Sequence, residues 1–177
     1  INKNYTIFAL DRPSASFRNV YHYLLKENNY KNQEKTKFLD ENILIKSNRE
    51  NLKFLECDLK NRKLLEKIII HLKPKYIFHL GAQPYIKPSW EDPVNTMEIN
   101  VIGTLNVFEP LKKFKINSRV VVACTSAEFG TTTSEINRPL REEDPLKAVH
   151  PYGISKIAAE LLARQYWINF GIESVVT

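Results

Sequence analysis

Tyr152-Gly-Ile-Ser-Lys156 places a phenol and an ammonium four residues apart. On a helix that spacing puts both side chains on one face. An ammonium beside a phenol favours the phenolate and draws the Tyr pKa down from its usual value of about 10. A Tyr tuned in this way can carry a proton to or from a sugar hydroxyl while hydride moves at a nicotinamide ring. Thr125 and Ser126, just after an apolar run, can hold the reacting oxygen beside that phenol. The alternative is an inert, exposed helix pair. Thr125-Ser126 weighs against it.

Carboxylates follow two other apolar runs. Asp11 ends Tyr5–Leu10, where it can accept both ribose hydroxyls of an adenosine, which favours NAD. Arg12 beside it can instead pair with a 2′-phosphate, which favours NADP. Asp58 ends Lys53–Cys57 and can accept from an adenine amino group or cap the helix that follows. The two roles are compatible.

These residues need elements to position them. Tyr5–Leu10, Lys53–Cys57, Tyr76–Leu80, Arg119–Cys124 and Glu173–Val176 read as buried strands. Helical spacing occupies Ser14–Lys26, Arg62–Leu72, Pro93–Phe114 and Pro151–Phe170, with Pro151 suited to a first turn and Gly171 to a C-terminal cap. Residues 27–52 are polar, rich in Asn and Lys, and read as an insertion or loop. Strands that alternate with helices predict an α/β fold with a doubly wound parallel sheet. Ligands in such sheets lie beyond the carboxyl ends of the strands. Asp11, Asp58, Gly81-Ala82-Gln83 and Thr125-Ser126 all fall there. One domain, 1–177, is expected.

Composition narrows the classes. The chain has 177 residues, 26 Lys+Arg against 20 Asp+Glu, and a formal charge of +6. The excess is scattered Lys, without a basic helix or an aromatic RNA-binding strand, so nucleic acid is not an expected partner. The longest uncharged apolar stretch, Val120–Cys124, is far shorter than a membrane span. Cys57 and Cys124 lack metal spacing, and no metal is expected. No signal peptide is read at the start, and a cytoplasmic protein is expected.

Together the motifs resemble the extended short-chain dehydrogenase/reductases, specifically the nucleotide-sugar epimerases and dehydratases. The residues are Leu10-Asp-Arg12, Cys57-Asp-Leu59, His79-Leu-Gly-Ala-Gln83, Asn100-Val-Ile-Gly-Thr104, Thr125-Ser-Ala-Glu-Phe-Gly130 and His150-Pro-Tyr-Gly-Ile-Ser-Lys156. Arg138-Pro-Leu-Arg-Glu-Glu-Asp-Pro145 is similar to the GDP-mannose 4,6-dehydratase-like members and the related 4-keto-sugar reductases.

The resemblance implies a Rossmann-like fold, NAD or NADP, and hydride transfer at C4 of a nucleotide sugar, a GDP-sugar being favoured. It makes Tyr152 the acid/base, Lys156 its ammonium and ribose ligand, and Thr125 the hydroxyl. Asp11, Arg12, Asp58, Leu59, Leu80, Ala82 and Gln83 contact the cofactor by the same comparison. Ser89 and Ser126 face the substrate, and Asn100 bridges helix and strand. A homodimer through helices 93–114 and 151–170 is implied too.

Two departures stand out. Dehydratases of this group carry a Glu two residues after the catalytic Thr. Here that position is Ala127, and Glu128 is a shifted candidate. The alternatives are therefore dehydratase, 4-keto reductase or C4 epimerase, or a scaffold that has lost turnover. The family also opens with a strand and a G-x-x-G-x-x-G turn, whereas the five glycines here, at 81, 103, 130, 153 and 171, form no such turn. That strand and a carboxy-terminal substrate lobe are expected in a longer parent protein.

Overall fold

The computed structural model describes residues 5–12, 35–45 and 51–177. The expected helix Ser14–Lys26 lies outside them. The chain forms two compact units, Ile1–Lys67 and Ile68–Thr177.

The first unit holds a four-stranded sheet of order β1-β4-β3-β2. Strands β1 (Ile7–Asp11) and β4 (Leu52–Glu56) pair in parallel, with Asp11 opposite Glu56. In β4, Leu52, Phe54 and Leu55 are buried, as an apolar parallel strand requires. Strands β2 (Lys35–Phe38) and β3 (Glu41–Ile45) form an antiparallel hairpin, and β3 pairs antiparallel with β4. Within 27–52, the described residues 35–45 are thus largely strand where the sequence suggests a loop. The hairpin turn is Leu39-Asp40, both at positive φ (55° and 64°). Two-residue hairpin turns of that hand usually announce themselves by Asn or Gly. Leu-Asp gives no such signal.

Helix α1 (Arg62–Leu72) begins in the first unit and ends in the second. The second unit holds a parallel sheet β5-β6-β7: Tyr76–His79, Arg119–Val122 and Ser174–Val176. Its strands are joined by helical crossovers, the Rossmann-like arrangement. Between β5 and β6 run α2 (Ile86–Glu91), α3 (Pro93–Met97), a π-helical turn (Glu98–Ile102) and α4 (Gly103–Lys113). Asp92 separates α2 from α3, and its carboxylate accepts from the Asn95 N–H at 2.9 Å. Between β6 and β7 come a 3₁₀ turn (Ser126–Glu128), the short α5 (Thr132–Glu135) and α6 (Pro151–Phe170). Gly171 closes α6 in the left-handed conformation, φ 67°, as its sequence position suggests. Val107, Phe108 and Leu111 of α4 and Ala159, Ala163 and Tyr166 of α6 are buried, and the two helices pack together. The Phe108 and Tyr166 rings stack with centroids 5.0 Å apart.

Candidate active site

Helix α6 starts where the chemistry starts. His150 caps it: its Nδ1 accepts from the Gly153 N–H at 2.9 Å, so this nitrogen carries no proton. Pro151 occupies the first turn, where a missing N–H costs nothing. Tyr152 and Lys156, one turn apart, are both buried, at 9% and 7% exposure. The His150 and Tyr152 rings stack, with centroids 6.0 Å apart and planes within 10°.

The Thr125 turn lies against the start of this helix. Thr125 is its N-cap, with Oγ1 accepting from the Ala127 N–H at 3.3 Å. A Cβ on Gly153 would stand 2.9 Å from the Ala127 carbonyl oxygen and from the Ala148 Cβ. Only glycine lets the two segments approach so closely. Gly130, at φ 50°, closes the other side, where a Cβ would overlap the Lys147 carbonyl. A hollow of about 510 Å³ opens here, lined in part by Ser126, Ala127, Gly130, Val149 and His150. A smaller one of about 200 Å³ lies at the amino ends of β5 and β6, away from these residues.

Lys156 donates from Nζ to the Ala123 carbonyl at 2.7 Å. Burial lowers its pKa, while Cys124 and Glu128 act in the opposite direction. Its charge also reaches His79 at the end of β5. Burial first, and Lys156 second, push the His79 pKa down to about 4. His79 Nε2 lies 2.9 Å from Thr104 Oγ1, and that hydroxyl donates its own proton to the Asn100 carbonyl at 2.6 Å. Nε2 must therefore carry the hydrogen of the neutral ring. Motif and spacing assign His79 no such role. A polar residue closing an apolar strand is the signal that could have pointed to it.

Asn100 ties the crossover to α6. Its Oδ1 accepts from the Gln83 N–H at 2.8 Å, and its Nδ2 donates to the Gln83 carbonyl at 3.1 Å and to Ser155 Oγ at 2.8 Å. Ser155 donates in turn to the Tyr152 carbonyl at 2.6 Å. The π-helical turn, a form enriched at functional sites, carries Asn100 at its centre. Gln83 and Ala82 are half-buried and Leu80 is exposed, all just beyond the carboxyl end of β5.

Two of the expected site residues lie inside the protein. Ser89, expected at the substrate, is completely buried and donates to the Ile86 carbonyl at 2.6 Å. It lies on the inward side of α2, a helix that the sequence reading does not contain. Glu128, the shifted candidate acid, is 3% exposed and, like Thr125, Tyr152 and Lys156, is not among the residues that line the hollow. The 3₁₀ turn presents Ser126 and Ala127 there and turns Glu128 inward. Cys124 Sγ and carboxylate oxygens of Glu128 and Glu160 lie within 4.8 Å of one another, and Glu128 Oε1 has no hydrogen-bond partner. Burial first, and Glu160 after it, push the Glu128 pKa up to about 7 against the opposing effects of the Cys124 thiol and the Lys156 charge. Burial likewise pushes the Cys124 and Cys57 thiols up to about 12, so neither is a ready nucleophile.

In the first unit, Asp11 and Asp58 leave the carboxyl ends of neighbouring parallel strands. The Cys57 N–H donates to the Asp11 carbonyl at 2.8 Å, extending the ladder. Asp11 Oδ1 accepts from the Arg12 N–H at 2.8 Å, and both residues are exposed. Asp58 Oδ1 accepts from the Lys60 N–H at 2.8 Å, which fixes the turn, with Leu59 half-buried inside it. The cap of α1 is Asn61, whose Oδ1 accepts from the Leu64 N–H at 3.2 Å.

Comparison with known proteins supplies the family. A family model described as GDP-mannose 4,6 dehydratase matches residues 2–177. The UDP-glucuronate 4-epimerase of Thermodesulfobacterium geofontis is 31% identical over 124 residues, covering 70% of this chain and 37% of the relative. Among solved structures, RMD from Pseudomonas aeruginosa complexed with NADPH aligns with TM-score 0.63 and 28% identity, over 72% of this chain and 44% of that one. The Thermus thermophilus UDP-glucose 4-epimerase complex with NAD aligns with TM-score 0.65 and 28% identity, over 72% and 40%. The chain thus spans less than half the length of each of these proteins. On a match that takes in the Thr125 turn, the Tyr152 helix and every strand described above, the chain belongs to the GDP-mannose 4,6-dehydratase family of NAD-dependent epimerases and dehydratases.

Proposed function

We propose that the full-length protein is an NAD(P)-dependent enzyme that transfers hydride at C4 of a nucleotide sugar. The observation that carries this is the start of α6: Tyr152 and Lys156 are buried one turn apart on a helix whose Gly153 lies against the capped Thr125 turn. The chemistry of each unit by itself suits part of a dinucleotide: an ammonium on α6 in the second unit, a carboxylate after each of β1 and β4 in the first. The nicotinamide ring, when bound, accepts the C4 hydride or returns it. Tyr152 takes the proton from the C4 hydroxyl or restores it. Lys156 stabilises the phenolate by its charge and holds the ribose, and Thr125 orients the sugar oxygen. Asp11 and Asp58 would bind the adenosine half, with Arg12 as the NADP alternative. Leu80, Ala82 and Gln83 would line the nicotinamide half, and Ser126 would meet the sugar.

Within that reading, reduction or epimerisation at C4 fits better than dehydration. Loss of water needs a carboxyl group at the sugar C5/C6 positions. Ala127, at the position where the dehydratases carry that carboxyl, lines the hollow and has none to offer. The preference for a GDP-sugar and the GDP-mannose 4,6-dehydratase label rest on the sequence motifs. Incubating full-length protein with GDP-mannose and NAD or NADP, and with UDP-sugars in parallel, tests the reading by mass spectrometry and proton exchange at C4. C4 chemistry without a product lighter by one water is expected. A 6-deoxy-4-keto product would restore the dehydratase. Absence of C4 chemistry with any nucleotide sugar would leave the scaffold.

The exposed apolar side chains Ile102, Ile154, Leu161, Trp167 and Ile168 on the two long helical segments support a homodimer through them. Light scattering on the full-length protein tests it, a monomer at micromolar concentration being the contrary result. Among the described residues no helix is long and apolar enough to cross a membrane.

A further inference from the structure

Helix α6 carries a third ionisable residue on the catalytic stripe. Tyr152, Lys156 and Glu160 follow one another at intervals of four, so one face presents phenol, ammonium and carboxylate in successive turns. Glu128 comes to this stripe from the 3₁₀ turn, and Cys124 from the end of β6. The stronger surrounding donors are already committed. The Cys124 thiol points to the Lys156 carbonyl at 3.9 Å, and the Lys156 ammonium donates to the Ala123 carbonyl. His79 on β5 is neutral, with its Nε2 hydrogen directed to Thr104. Glu128 Oε1 is buried without a hydrogen-bond partner, and among the described residues the weak Cys124 thiol is the one nearby donor that can turn to this carboxyl. A bare carboxylate cannot persist there beside a second carboxylate. A proton of its own removes the conflict, and Glu160 is the acceptor within reach.

We propose that Glu128 is a neutral acid that shares its proton with Glu160, and that this pair positions and tunes Lys156 from behind the catalytic face. With Glu128 neutral, Lys156 has one anionic neighbour on its stripe instead of two, and less of its charge is offset. When Glu128 ionises, the added negative charge opposes the Tyr152 phenolate. The tuning role rests on the C4 reading above. The shared proton does not.

Infrared spectroscopy of the full-length protein between pH 5 and pH 9 tests the pair without any turnover. One buried carboxylic-acid carbonyl band is expected in the wild type at pH 6, fading as pH rises. It should be absent from Glu128→Gln. In Glu160→Gln the same band should fade at lower pH, because the like-charged neighbour is gone. Absence of the band in the wild type, its persistence in Glu128→Gln, or one tightly bound zinc held by Cys124, Glu128 and Glu160 would overturn the proposal. The tuning is read from tyrosinate absorbance, as wild type minus Tyr152→Phe. Glu160→Gln should move the Tyr152 transition to lower pH, because one negative charge leaves the stripe. A purely structural Glu160 would leave that transition in place, and the positioning role would then fail. Failure of the C4 assay with both spectroscopic results intact would sink the enzymatic reading alone.

Discussion

Asn100 and Ser155, far apart in sequence, are joined by a 2.8 Å hydrogen bond from Nδ2 to Oγ. Through it the β5 loop, the π-helical turn and the first turn of α6 become one hydrogen-bonded unit. Asn100 is 2% exposed and Ser155 is fully buried, so water cannot replace lost partners. Asn100→Ala should orphan the Gln83 backbone groups, at about 1–3 kcal/mol for each group left unsatisfied. Chemical denaturation of the full-length protein should show a loss of ~3 kcal/mol, on that same scale. A loss under about 1 kcal/mol would mean that the loop finds other partners.

Tyr152→Phe should cut C4 hydride transfer by roughly 10²–10⁴-fold, the usual worth of a positioned general acid/base. Lys156→Met should do comparable damage and move activity to higher pH, because the phenolate loses its cation. Thr125→Val should be milder, since it removes one hydroxyl and leaves the proton carrier. Steady-state kcat/KM over pH 6–10 checks all three. Equal losses for Thr125→Val and Tyr152→Phe would contradict the assignment of roles.

The fold should weaken in mild acid through His79. Its folded pKa, about 4, lies below the ordinary 6.5, so the unfolded chain binds the proton more readily. The contribution of the neutral ring is complete above about pH 6.5. It declines as pH falls toward 4 and then levels off. Melting temperatures of the wild type and His79→Gln across pH 4–8 should converge at the acid end. Parallel curves would show that His79 does not titrate in this way.

Gly153→Ala tests the contact between the Thr125 turn and α6. The new methyl would sit 2.9 Å from the Ala127 carbonyl oxygen, backbone that cannot swing aside. The strain should cost about 1–3 kcal/mol, and kcat/KM should fall at least about tenfold as Tyr152 shifts relative to Thr125. Activity and stability equal to wild type would mean that the two segments part without consequence.

Local chemistry made much of this protein legible in its sequence. Pro151 and Gly171 mark both ends of α6, because one tolerates a lost N–H and the other a positive φ. Apolar runs bounded by charge or proline locate β4, β5 and β6 to within two residues at each end. The step of four from Tyr152 to Lys156 needs only helical geometry. Tertiary structure decided the rest. A 3₁₀ turn rotates successive side chains by about a third of a circle. Which of Ser126, Ala127 and Glu128 faces the hollow therefore depends on how that turn packs against Gly153. Ser89 is inside because α2 folds inward, a helix too short for periodicity to reveal. The π-helical turn that centres Asn100 reads in sequence as ordinary helix. The Leu39-Asp40 hairpin depends on strand pairing that no turn residue announces. Glu160, a surface-looking carboxylate on a long helix, becomes Glu128's neighbour only when α6 meets the end of β6.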